Sequence, residues 1–139
     1  MNSNGEISEG LGPNITKEKF LSHFGTKLYC NNSTKNIFRF KETIKINDAS
    51  FWINVIFDDN RMKIVELSDA NETFQNSYND WSNYRNKKKR EAHDRWLLQQ
   101  LGRPVEKKTN ALTFNRSWGS ATSYTDMKNG EVKIMISYK

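Results

Sequence analysis

The sequence predicts an α+β fold: a single domain in which an antiparallel sheet of about five strands is packed by one long helix and one short N-terminal helix. Three observations carry this. Helical signals occupy two segments, around residues 16–25 and 80–102. A period of two dominates from Asn36 to Leu67 and returns from Ala111 to Tyr138. Turn chemistry at Asp58-Asp59-Asn60 and Asn129-Gly130 separates strands that then return as hairpins. The 139 residues fit one domain, and 12% aromatic residues supply a core although only 35% of the chain is hydrophobic.

Each element follows from its local chemistry. Residues 1–13 are small and polar, with Gly10, Gly12 and Pro13 breaking any pattern, and read as a mobile arm ahead of a domain spanning 14–139. Thr16 can cap a first helix, with Ile15 and Phe20 as its hydrophobic staple. Gly25 suits a left-handed stop, and Phe20, Leu21 and Phe24 form the apolar face. Phe38, Phe40, Ile44 and Ile46 alternate along a first strand. Phe51, Ile53, Val55 and Phe57 share one face of a second, with Trp52 and Ile56 on the other, so this strand reads as covered on both sides. "RMKIVEL" returns as a third. A polar loop from Asp69 leads to the long helix, which Gly102 and Pro104 stop. "ALTF", "WGSATSYT" and "EVKIMISY" close the chain, with Val132, Ile134, Ile136 and Tyr138 pointing one way and Lys133, Met135 and Ser137 the other.

The long helix places five basic residues in the six positions 85–90, between Trp81 and Trp96. At 100° per residue, Trp81, Tyr84, Lys88 and Ala92 fall on one side with Trp96 at its edge, while Arg85, Lys87, Lys89 and Arg90 scatter around the circumference. A phosphate-tracking helix concentrates its cations on one face. Here Lys87 with Glu91, Arg90 with Asp94 and Glu91 with Arg95 stand four apart, each pair contributing only about 0.2–0.5 kcal/mol. The pattern is that of a solvated helix laced with ion pairs, its indoles turned to the core.

Catalytic and ligand-binding constellations are sparse. His93 and Asp94 are adjacent, and helical neighbours do not face each other, so they form no dyad. The serines around 117–123 lack a nucleophile elbow and read as a solvent face, with Gly119 admitting another backbone or ring. No phosphate-cradling glycine motif, RNA-recognition motif or complete calcium loop occurs. Cys30 is the only cysteine, which excludes an internal disulfide and a cysteine-based zinc cage. No apolar run reaches bilayer-spanning length, and the opening residues lack a basic start or an apolar signal core. We expect no cofactor, no metal and a cytoplasmic setting; an exported or lipid-anchored form is the alternative if a leader once preceded residue 1.

Net charge of +6, with an isoelectric point near 9.4, favours an acidic partner. "YNDW", "HDRWLLQQLGRP" and "WGSATSYTDMKNGEVKIMISY", between Tyr78 and Tyr138, resemble small bacterial proteins of toxin-immunity loci. That resemblance implies a compact, enzymatically inert chain devoted to one protein partner, and carries over no inhibitory residue position by position. The segment "ITKEKFLSHFG" with the strands after it is also similar to small envelope domains of the lipoprotein-assembly type. The expected function is a non-enzymatic protein-binding module, possible contacts being Trp52, Arg85, Lys87, Lys89 and Lys133. A basic nucleic-acid-binding protein is the alternative, and a hydrolase the third reading.

Overall fold

The alternation from Phe51 to Phe57 builds the longest strand of the protein, β3 (Ala49–Asp58), in a computed structural model that describes residues 1–74 and 83–139. Its inward residues Phe51, Ile53, Val55 and Phe57 are all buried. Asp59, with φ 55, turns the chain into β4 (Arg61–Asp69), as Asp and Asn tolerate the left-handed region. Ile56 lies opposite Ile64 and Phe57 opposite Met62, so a bulge leaves Lys63 unopposed.

The remaining strands extend this hairpin to both sides. β1 (Ile37–Arg39) and β2 (Ile44–Ile46) both pair with β3. On the other side β4 pairs with β8 (Val132–Tyr138), followed by β7 (Gly119–Thr125), β6 (Ala111–Arg116) and β5 (Glu106–Lys108). All these pairings are antiparallel, and they form one sheet of eight strands rather than about five. The difference comes from three-residue strands. "NIFRFKETIKI" breaks into β1 and β2, and the Lys-rich connector supplies β5, whose residues are all exposed. At Gly119, φ 150 and the carbonyl oxygen of Ser137 leave no room for a Cβ, the close backbone approach the sequence suggests there.

Two helices cover one face of the sheet. α1 (Lys17–Phe24) begins at Thr16, whose side chain accepts from the Lys19 N–H at 3.2 Å. Its Phe20 ring lies 5.4–6.0 Å from those of Phe24, Phe38, Phe40 and Phe57. Gly25 does not take the expected left-handed stop: its φ is −51, and the chain tightens into a 3₁₀ turn over Gly25–Lys27. α2 (Asn83–Leu101) buries His93, Trp96 and Leu97, with the Trp96 indole edge-on to Phe51 at 5.1 Å. Tyr84 is largely exposed, so the buried stripe lies further round the helix than the aromatic spacing predicts; Trp81 lies outside the described residues.

Residues 1–13 do not project as the separate arm read from their composition. Ile7 and Leu11 join the core, and the Ile7 N–H donates to the Leu11 carbonyl at 2.8 Å. Gly5, at φ 92, lies so close to the Trp118 indole that a Cβ would overlap it, and its carbonyl accepts from the buried Tyr138 hydroxyl at 2.7 Å. The glycines that break the helical and strand patterns thus allow close packing. No helix among the described residues is long and apolar enough to cross a membrane.

Candidate interaction face

The second face of the sheet follows from the same period of two. While Val55, Val65, Ile136 and Ala121 line up beneath the helices, Asn54, Glu66, Met135 and Thr122 line up on the side that neither helix covers. Trp52 belongs to this second side and is 42% exposed, and Ile37, on an edge strand, is 58% exposed. The expectation that β3 is covered on both sides is therefore corrected. Both helices go to one face because Phe20 and Trp96 dock against the Phe51–Phe57 side.

Lys133 shares this face with Trp52. Leu67 stands opposite Ile134, so Ser68 and Lys133 follow one step along, and Trp52 stands opposite Ser68. Two strand spacings, about 10 Å, separate the two backbones. Lys133 bonds to Glu131 at 3.0 Å and to Glu66 at 3.5 Å. Partial burial lowers its pKa, but the hydrogen bond to Glu131 and the charges of Glu66 and Glu131 outweigh this and hold it above the ordinary lysine value.

The helix cations are not gathered on that face. Burial, with the nearby charge of Lys133, pulls the Lys89 ammonium below its usual value, while Asp69 and Glu131 oppose the shift. Lys87 lines a separate cavity with Arg90, Glu91, Asp126 and Met127 between the helix and the β7–β8 turn. Arg85 is half-buried. Arg90 makes the expected ion pair with Asp94 at 2.9 Å, whereas Glu91 pairs with Lys88 at 3.4 Å, and Lys88 also sits 5.4 Å from the Tyr84 ring centroid. Of the five residues chosen from sequence, Trp52 and Lys133 share the sheet face, and Lys89 feels the charges of Lys133 and Glu131 from the helix, whereas Arg85 and Lys87 belong to other surroundings.

His93 is a core residue. Its Nε2 accepts from the Asp69 N–H at 3.0 Å, so Nδ1 carries the proton, and this Nδ1–H finds no acceptor among the described residues. Burial, then the charges of Lys89 and Arg90, push its pKa down to about 3, which keeps the ring neutral. Asp94 turns to Arg90, and His23 stacks edge-on with Phe24 at 4.4 Å. Ser123, read from sequence as part of a solvent face, is fully buried because it follows Ala121 on the inner side of β7. No group of three or more His, Cys, Asp or Glu able to hold a metal occurs among the described residues.

The sequence reading turned Ser120 and Ser137 outward, as they are, but missed Ile37 and Ile64 as members of the uncovered face. Their signal is parity alone, each being the outward residue beside a buried partner. Fold and face together define a class: an α+β protein with one antiparallel sheet, helices on one side and, among the described residues, a mixed surface that no helix covers on the other. No family model, curated protein or solved structure matches the chain.

Proposed function

We propose that this chain is a non-enzymatic protein-binding module of the inhibitor or immunity kind, working in the cytoplasm by covering an acidic surface of one protein partner. The observation that supports this reading is the uncovered sheet face, where an exposed tryptophan stands on a rigid central strand beside Lys133 and near the exposed Ile37. Tryptophan on a preorganised backbone loses little entropy on docking and supplies a large apolar contact, which is why such rings dominate interface energetics. The net charge of +6 adds attraction toward an acidic partner and speeds encounter.

The test is capture from the native host with wild type and Trp52→Ala side by side. An acidic protein retained by wild type should lose at least about tenfold in affinity to the variant, the effect of a moderate interface anchor. Since more than half of Trp52 is packed against the sheet, Trp52→Ala should cost about 2 kcal/mol in urea unfolding, and affinities are compared where both proteins are folded. Equal retention by both proteins, or recovery of nucleic acid alone with a steep salt dependence, overturns the reading.

A further inference from the structure

One cross-strand row of the uncovered face runs over six strands. Ile37 stands opposite Ile56, Ile56 opposite Ile64, Ile64 opposite Ser137, Ser137 opposite Ser120, and Ser120 opposite Asn115. Its first half is apolar; its second half supplies two hydroxyls and an amide. At that second half lies a cavity of about 430 Å³ whose lining adds Lys63, Arg116 and Lys139 and contains no aspartate or glutamate side chain.

The fold itself assembles this cationic end. The bulge between Ile56 and Phe57 leaves Lys63 unopposed, and Gly119 lets β7 approach the Ser137 carbonyl closely. The Arg116 guanidinium turns to the carbonyls of Leu101 and Arg103 beyond the end of α2 and lies over the buried Phe114 ring, so the cations left to the pocket are Lys63 and Lys139. Neither Lys63 nor Lys139 pairs with a carboxylate among the described residues. Cations beside hydrogen-bond donors favour an anion, because it accepts charge-assisted bonds from both.

We propose that this pocket is the anion-recognition end of the interaction face, taking an aspartate or glutamate side chain of the protein partner while Ile37, Ile56 and Ile64 receive apolar side chains of the same segment. This rests on the protein-binding reading above and gives the partner a chemistry. The row is about 24 Å long, which about seven extended residues span. A protein segment fits better than a nucleic acid, whose phosphates need a continuous cationic track. Here three isoleucines occupy half the row, and Glu66 lies on the neighbouring one.

The experiment titrates the full chain with three probes and follows backbone amide shifts. The probes are a capped peptide with an apolar half of Val and Leu and an acidic half of Asp, its twin with Asn for Asp, and an oligothymidylate of equal charge. The acidic peptide should move the amides of Asn115, Ser120 and Ser137 and bind at least tenfold more tightly than its twin. Lys63→Glu should remove that preference, and Lys139→Glu provides a second variant should the first fail to fold. Equal binding of the two peptides, shifts confined to other surfaces, or tighter binding of oligothymidylate at these amides overturns the proposal. If the peptides move Trp52 and leave the pocket untouched, the pocket falls and the protein-binding face stands. If they fill the pocket and Trp52→Ala loses no captured partner, the pocket stands and the larger reading falls.

Discussion

His93 is where burial and protonation are tied most directly. The imidazole is fully buried, accepts from the Asp69 N–H through Nε2, and faces Lys89 and Arg90 on its own helix. Its pKa falls from 6.5 to about 3 on folding, mainly through burial. Because the folded value is the lower one, the unfolded chain takes the proton first as pH drops. Stability from the neutral ring is complete above pH 6.5 and is lost as pH falls toward 3, by about 1.4 kcal/mol per pH unit. His93→Gln keeps an acceptor for the Asp69 amide and cannot titrate. Urea unfolding at pH 8 and pH 5 should therefore show the wild type losing about 2 kcal/mol more than the variant. An identical loss in both would show that His93 plays no part in the acid sensitivity.

Among the elements, the long strands and the short ones differ in how far their sequence reveals them. β3, β4 and β8 carry enough alternating positions to fix both the strand and its buried face, and Val132, Ile134, Ile136 and Tyr138 are buried as their parity predicts. Three residues cannot display a period of two, so β1 and β2 merge when read from sequence, and the charged β5 gives no apolar signal at all. On α2, Trp96 goes inward as its spacing suggests, together with His93 and Leu97, while Tyr84 stays in solvent beside Lys88. The candidate face was half legible: Trp52 and Lys133 stand out as residue types and Ser120 and Ser137 by alternation, whereas their alignment with Ile37 and Ile64 and the place of Lys63 depend on strand register and a bulge. Gly119 is where β7 runs so close to the Ser137 carbonyl that a Cβ has no room. Gly119→Ala would drive a methyl into the Ser137 carbonyl at a φ of 150, so it should cost more than about 2 kcal/mol in urea unfolding. Gly102→Ala, with φ 80 and nothing within 4 Å of the added methyl, should cost only about 1 kcal/mol, and equal costs at the two sites would rule out the steric account.

On the scale of the whole molecule, the N-terminal segment joins parts that are far apart in the chain. The Met1 ammonium donates to Gln100 Oε1 at 2.6 Å near the end of α2, Gly5 lies against Trp118 and Tyr138 at the end of the β7–β8 pair, and Gly10 abuts Phe24 in α1. These contacts run along the covered side of the sheet, so the segment acts as part of the core's lid and leaves the candidate face untouched. Burying Ile7 and Leu11 stabilises the fold by about 1.5–3 kcal/mol each, a large share of the roughly 5–15 kcal/mol that holds a domain of this size. Deleting residues 1–12 also exposes the Trp118 ring and leaves the buried Tyr138 hydroxyl without its acceptor. The truncated chain should therefore unfold at least about 10 °C below the full chain in a thermal scan. A melting temperature within a degree or two of the full chain would mean that residues 1–12 contribute nothing to the core. The same truncation should leave the affinity of any partner captured through Trp52 unchanged at temperatures where both chains are folded, because lid and interaction face lie on opposite sides of one sheet.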